Sequence, residues 1–350
     1  MRRPDGSELS DYDYELPPER IARYPAARRD ESRLLVSEER GALRHVGFAG
    51  VVDLIDPGDV LVVNESRVLP ARLLGRKPTG APAEVLLVRP ADAGGDPYVW
   101  EALVRPGGKL KPGRTVVVAD DLTVDVLDAA PGSGRVVRLV TGLSVEAALE
   151  RHGHMPLPPY LGREDEALDR ERYQTVYARH PGSIAAPTAG LHFTPEVLDA
   201  LEAKGVRRVA VTLHVGIGTF RPVDATNLEG HEMHEERYDV PVVTAAAINA
   251  ARAEARRIWA VGTTTVRTLE SAIDAAGRVL PGAGATDLFI RPPFEFRVVD
   301  RLLTNFHLPR STLLMLVAAL AGYDRTIDAY REAIREGYRF YSYGDAMVVI

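Results

Sequence analysis

Between residues 70 and 145 the chain offers six short apolar runs and almost no helical periodicity: ARLLG, AEVLLV, YVWEALV, RTVVVA, LTVDVL and RVVRLV, each cut off by Gly, Pro or Asp. Runs this short, spaced roughly 10–15 residues apart, suit strands and are too brief for an amphipathic helix. They constrain this stretch to a small barrel or sandwich. The whole chain has 350 residues, 45% apolar and 26% charged. At roughly 100–200 residues per domain that leaves room for a second, larger unit with its own core.

The flanking sequence has a different rhythm. Val60–Val63 reads as a buried strand running into the polar loop NESR. HMPLPPYLGRE, rich in proline, reads as a return crossing. From about residue 172 strand, loop and helix alternate. A strand at 183–186 precedes PTAGLHF, and Thr194-Pro195 open a helix as N-cap and first helical residue. A strand at 208–215 leads into GIGTFRP, and a helix at about 244–256 feeds the strand 258–261 and GTTTVRTLES. Strand 298–303 then gives way to TNFHLPRS and the helix 312–321. This alternation predicts an α/β domain with a largely parallel sheet. Strand Val60–Val63 belongs with that sheet, so the all-β unit is inserted into it. The expected boundaries are residues 1–66 and 156–350 for the α/β domain and 67–155 for the insert.

The sequence has no cysteine, which removes disulfides, thiolate nucleophiles, iron–sulfur clusters and Cys-ligated zinc. MRRPDGSELSDYDYELPPER lacks an apolar signal-peptide core, and the longest apolar run, Leu313–Ala321, is about half a bilayer span. A cytoplasmic protein with no membrane association is expected. There is no G-x-x-x-x-G-K-[ST] loop and no G-x-S-x-G elbow, and GIGTFR has Arg221 where a dinucleotide fingerprint needs glycine. The formal charge of −6 speaks against coating nucleic acid through bulk charge.

Ligands of open α/β sheets bind beyond the carboxyl ends of the strands. Here those ends carry His192, His214, Thr263–Thr265 with Arg267, and Asn305 with His307. HEMHEERY adds His231, Glu232 and His234. Histidines suit proton transfer near neutral pH. Threonines at a helix N-terminus beside an arginine suit a carboxylate or phosphate. Gly216 and Gly218 would allow close approach to a ligand, or only a tight turn. His231-x-x-His234 has a spacing that can hold zinc, which keeps a metal-dependent hydrolase open as an alternative. Arg331, Arg335 and Arg339 recur every four residues beside Tyr341 and other aromatics, a pattern fit for unstacked RNA bases. A non-catalytic RNA-binding module is a further alternative.

The segments DYDYELPPERIARYP, GDVLVVNESRVLPARL, GHMPLPPY, RYQTVYA, AAPTAGLHFT, VTLHVGIGTFRPV, HEMHEERY, AVGTTTVRTLES, LLTNFHLPRSTLLMLVAALAGY and YRFYSYGDAM span nearly the whole chain. Through them it resembles the S-adenosylmethionine:tRNA ribosyltransferase-isomerases of queuosine biosynthesis. The resemblance implies a closed six-stranded barrel inserted into an α/β domain. It also implies ribosyl transfer from S-adenosylmethionine to 7-aminomethyl-7-deazaguanine at the wobble position of a tRNA with a GUN anticodon. Adenine and methionine leave, and epoxyqueuosine remains. S-adenosylmethionine is a co-substrate, no metal or other cofactor is implied, and a monomer is expected. On this reading His192, His214 and His307 supply acid–base catalysis, with His231, Glu232 and His234 as a second group. Thr263, Thr264, Thr265 and Arg267 hold the methionine carboxylate, and Asn64, Arg67, Asn305, Gly216 and Gly218 line the substrate cleft. Arg331, Arg335, Arg339 and Tyr341 contact RNA.

Overall fold

A computed structural model describes residues 4–39, 41–91, 94–131, 133–216, 228, 231 and 233–350. Each of the six short apolar runs forms a strand. Arg72–Arg76, Pro82–Pro90, Val99–Arg105, Gly134–Thr141, Leu122–Ala130 and Thr115–Ala119 follow one another around a sheet of antiparallel neighbours. The first and last meet at Arg76 and Val117, which closes the barrel. The short strand Gly153–His154 adds alongside Arg72–Arg76. Alternation is visible in Pro82–Pro90, where Ala83, Val85 and Leu87 turn inward. They join Leu73, Val104, Val124, Val137 and Leu139 in one core. Ile184, from beyond the barrel, packs into the same core. Closure removes the free edges that such short strands would otherwise expose.

The second sheet has nine strands, in the order Gly282–Thr286, Glu236–Val240, Arg207–Leu213, Val60–Asn64, Ile258–Val261, Arg301–Asn305, Ala346–Val349, Arg33–Ser37 and Arg44–Gly47. Val60–Asn64 sits between Arg207–Leu213 and Ile258–Val261, as its apolar run implied. Four adjacent strands, Arg207–Leu213 to Arg301–Asn305, are parallel. The sheet as a whole is mixed rather than largely parallel. Ala346–Val349 runs antiparallel to Arg301–Asn305, and both outer flanks end in antiparallel pairs. Period-two alternation sends Val60 and Val62 to one face and Leu61 and Val63 to the other. Helices Val242–Ala253, Thr263–Ser271, Thr312–Ala321 and Tyr323–Arg335 pack on the first face, and Pro195–Ala203 on the second.

Two expected strands are displaced, each for a local reason. The strand before PTAGLHF is His180–Ser183, paired with Ser66–Val68. The chain then reaches Pro187, which has no N–H to give a ladder, and turns into the 3-10 helix Thr188–His192. The strand before TNFHLP starts at Arg301 because the N–H groups of Val298 and Val299 both donate to Glu270 Oε1, at 3.0 and 2.9 Å. Thr194 caps the helix Pro195–Ala203 as expected, accepting from Val197 N–H at 3.3 Å. Among the described residues no helix is long and apolar enough to cross a membrane.

Candidate active site at the strand ends

A cleft opens beyond the ends of Ile258–Val261 and Arg301–Asn305. Segments singled out in the sequence meet there, among them 185–189 of AAPTAGLHFT, Val215 of VTLHVGIGTFRPV, Gly262–Thr264, Thr304–Leu308 and Tyr341–Ser342. Tyr160 closes a further wall, its ring 4.6 Å from that of Tyr341 and its hydroxyl 2.6 Å from Ser342 Oγ. Gly262, also in the lining, takes φ 87°, and the helix Thr263–Ser271 starts with no side-chain cap. Its first-turn N–H groups have no intrahelical acceptor, so this end of the cleft favours an anion.

Asn305 is 2% exposed, and its environment fixes which way its amide points. Nδ2 lies 3.2 Å from the Tyr341 carbonyl, which can only accept. The same nitrogen lies 3.1 Å from His192 Nε2, which must then be the unprotonated ring nitrogen. The proton therefore sits on His192 Nδ1 and is donated to Ser32 Oγ at 2.7 Å, and Ser32 donates to the Arg29 carbonyl at 3.2 Å. Phe48 stacks on the imidazole at 5.1 Å. Burial, with the nearby charges of Arg339 and Arg29, pulls the His192 pKa down to about 3, so the ring is neutral. The end of this relay is Asn305 Oδ1, a buried acceptor without a partner among the described residues.

His307 differs. It lines the cleft, with Nε2 2.8 Å from Thr304 Oγ1. Its backbone is clamped by Tyr330, whose hydroxyl accepts from the His307 N–H at 3.0 Å, and by Tyr14, whose hydroxyl donates to the carbonyl. Burial lowers its pKa to about 3. Tyr341 takes φ 72°, an unusual backbone for a bulky residue, held by its N–H to the Phe306 carbonyl at 3.1 Å and by the Asn305 contact.

Several expected roles change. His192 does not line the cleft; both its ring nitrogens are spent on protein partners, so it positions Asn305. Arg267 is buried against Glu236, and its other two nitrogens donate to the carbonyls of Leu288 and Thr286, at 3.1 and 3.3 Å. It does not line the cleft, so it is not placed to receive a substrate carboxylate there. Thr265 Oγ1 donates to the Val261 carbonyl at 2.7 Å, leaving Thr263 and Thr264 as the cleft threonines. Asn64 is fully buried and laces two strands, accepting from Ser66 and Leu213 N–H and donating to the Leu213 carbonyl. It reaches the site only through Thr264 Oγ1, at 3.4 Å. Arg67 is exposed and does not line the cleft. Gly216 donates to Glu236 Oε1 at 3.0 Å and also lies outside the lining.

His214 is half-buried outside the cleft, its Nδ1 without a partner among the described residues, and burial and His180 lower its pKa. His231 packs edge-on to Phe289 at 5.2 Å, burial and His234 lowering its pKa, while His234 is exposed. Among the described residues no three His, Cys, Asp or Glu side chains are grouped to hold a metal. Gly218 and Glu232 lie outside the described residues. Tyr341 is 6% exposed and walls the cleft, so it cannot extend a surface arginine stripe. Arg331 pairs with Asp328, and Arg335 with Glu332 and Glu336. Arg339 lies past the helix Tyr323–Arg335, on another surface.

Sequence reasoning missed Glu236, Ser32, Tyr160 and Ser342. HEMHEERY did point at the Glu236 region through its histidines; for Ser32 the sequence carries no signal, because its partner lies 160 residues away.

Known proteins resemble the chain over nearly all of it. The family described as queuosine biosynthesis protein matches residues 9–349. The S-adenosylmethionine:tRNA ribosyltransferase-isomerase of Geobacter sulfurreducens is 49% identical, covering 97% of this chain and 99% of that one. The protein of the same name from an Anaeromyxobacter species is 53% identical, covering 97% and 98%. The crystal structure of the S-adenosylmethionine tRNA ribosyltransferase from Thermotoga maritima is 40% identical, with a TM-score of 0.56 over 97% of this chain and 99% of that one. With its family motifs converging on one cleft and these matches running nearly end to end, the chain belongs to the queuosine biosynthesis protein family.

Proposed function

We propose that the protein transfers and isomerises the ribosyl part of S-adenosylmethionine onto 7-aminomethyl-7-deazaguanine in tRNA, releasing adenine and methionine and leaving epoxyqueuosine. The observation that carries this reading is the convergence of PTAGLHF, GTTT, TNFHLP and YSYG on a single cleft with an anion-favouring helix start at one side and tyrosine rings at another.

The reaction needs a proton removed beside the sulfonium, a proton given to the departing adenine and a neutral amine. His307 takes the acid–base role. Among the described residues it is the histidine that lines the cleft, and burial keeps it neutral, the state a base starts from, at some loss of driving force. The first turn of Thr263–Ser271, with Thr263 and Thr264, receives the methionine carboxylate. Asn305 Oδ1 accepts a hydrogen bond from an N–H or O–H of the co-substrate. S-adenosylmethionine is consumed, with no metal or further cofactor. The protein acts as a cytoplasmic monomer on tRNAs with GUN anticodons, through an α/β domain of residues 1–66 and 156–350 and a barrel domain of 67–155.

The test mixes protein, S-adenosylmethionine and tRNA bearing the aminomethyl-deazaguanine. Adenine release stoichiometric with tRNA modification is expected. Release of S-adenosylhomocysteine alone, or no reaction, overturns the proposal.

A further inference from the structure

On the far side of His192 from the cleft lies a second, smaller hollow, lined by Arg29, Arg172 and Arg339 together with Ser32, His192 and Ser342. Among the described residues no carboxylate lines it. Arg29 donates to the carbonyls of Leu191 and Glu171, at 3.2 and 3.0 Å. Arg172 donates to those of Ala27 and Ala26, at 3.1 and 2.9 Å, and its buried Nε has no partner among the described residues. Arg339 reaches the Tyr24 carbonyl at 3.5 Å. It also makes a long ion pair, at 3.8 Å, with Asp345, whose oxygens accept the backbone N–H groups of Arg33 and Arg339 at 2.9 and 2.8 Å.

Carbonyl dipoles hold Arg29 and Arg172 in place without cancelling their charge, while Arg339 makes a long ion pair with Asp345. Arg29 and Arg172 thus differ from Arg331 and Arg335, each paired with carboxylates. Two neighbouring groups register the surplus. Arg29 has its pKa lowered by burial and then by Arg172, an effect Glu171 partly opposes, and Arg339 and Arg29 add to burial in lowering His192. Converging arginines, two of them without a carboxylate partner among the described residues, are complementary in a concave site to a phosphate, whose oxygens take planar, charge-assisted hydrogen bonds. Ser342 lines both the hollow and the cleft, and the Asn305–His192 pair spans the wall between them.

We infer that this hollow is a phosphate-binding site, and that its occupant is a backbone phosphodiester of the RNA substrate beside the nucleotide that enters the cleft. The occupant's identity rests on the proposed function; the anion chemistry of the hollow does not. The same site explains how a chain of charge −6 engages RNA: through three arginines in one place rather than through net charge.

The test uses the full chain, an anticodon stem-loop RNA and inorganic phosphate. Arg339→Gln removes the charge with the fewest hydrogen bonds to the fold. It is expected to weaken stem-loop binding roughly tenfold and lower the log–log salt slope by roughly 0.7–1, with S-adenosylmethionine affinity unchanged. Arg172→Lys keeps the charge and loses the planar fork. It is expected to weaken RNA binding while leaving the salt slope in place, which separates lost charge from lost geometry. Inorganic phosphate should compete with stem-loop RNA for the wild-type protein and less for Arg339→Gln. If phosphate raises the melting temperature of the wild type alone while both variants bind RNA normally, the site takes free phosphate and the RNA assignment is overturned. If neither phosphate nor RNA responds to either variant, the whole inference falls. Normal RNA binding with no adenine release by the wild type would instead overturn the proposed function and leave the phosphate site standing.

Discussion

At the scale of single residues, His192 and His307 look alike in sequence: each follows a strand-end loop of the same domain, and each is buried and neutral. What separates them is where their ring nitrogens go. His192 is spent on Ser32 and Asn305; His307 lies at the cleft with Thr304. The two should therefore respond differently to a neutral isostere. Gln at 192 can still accept from Asn305, so His192→Gln is expected to keep turnover within roughly tenfold and leave the pH–rate profile unchanged. His307→Gln is expected to lose about 100-fold or more, the usual worth of a positioned acid or base. Adenine release followed across pH checks both, and a lost limb in the His192→Gln profile would return that residue to proton transfer. Asn305→Ala removes the fixed acceptor at the end of the relay. Its expected signature is a rise of roughly tenfold in the dissociation constant for S-adenosylmethionine, measured by calorimetry, in line with one hydrogen bond to a charged or strongly polar donor.

At the scale of elements, the arginine of GTTTVRTLES joins parts of the sheet edge rather than substrate. Glu236, on the strand Glu236–Val240, holds Arg267 with one oxygen and the Gly216 N–H with the other. Arg267 in turn reaches the carbonyls of Leu288 and Thr286. One buried pair thus ties a helix to two strands and the start of the following loop. Removing one partner leaves a buried charge alone, so Glu236→Ala is expected to cost about 3–5 kcal/mol in urea unfolding, and Glu236→Gln less. A second element depends on close approach. A Cβ on Gly190 would sit 2.1 Å from the Tyr177 hydroxyl and 2.8 Å from Thr175 Cγ2. Gly190→Ala is therefore expected to cost about 1–3 kcal/mol and to disturb the PTAGLHF wall of the cleft, read as a lower melting temperature together with weaker co-substrate binding.

For the whole molecule, what the sequence made legible was local, and what it hid was long-range. Barrel strands announced themselves because each carries its own period-two pattern and its own terminators. The return of Ala346–Val349 to a position between Arg301–Asn305 and Arg33–Ser37 had no such marker, since pairing across more than 300 residues leaves no trace in local composition. Cleft loops could be listed from motifs, yet the relay through Ser32 and the arginine hollow depend on the same chain ends meeting in space. The buried histidines give this assembly a pH signature. His192 and His307 have pKa values near 3 in the fold and about 6.5 when unfolded. Below pH 6.5 the unfolded chain binds a proton at each that the fold refuses, so stability present at neutral pH is lost as pH falls toward 3. The expected limiting slope is about 1.4 kcal/mol per pH unit for each histidine. Asp169 acts in the same direction lower on the scale. Burial raises its pKa, but hydrogen bonds from Arg163, the Glu166 N–H and Tyr343 outweigh that and hold it below the usual carboxylate range. Its contribution is lost only as pH falls below about 4. Urea unfolding between pH 7 and 5 therefore isolates the histidines: the double variant His192→Gln, His307→Gln should show a flatter fall in stability with pH than the wild type, and equal slopes would mean that these rings are not held neutral by the fold.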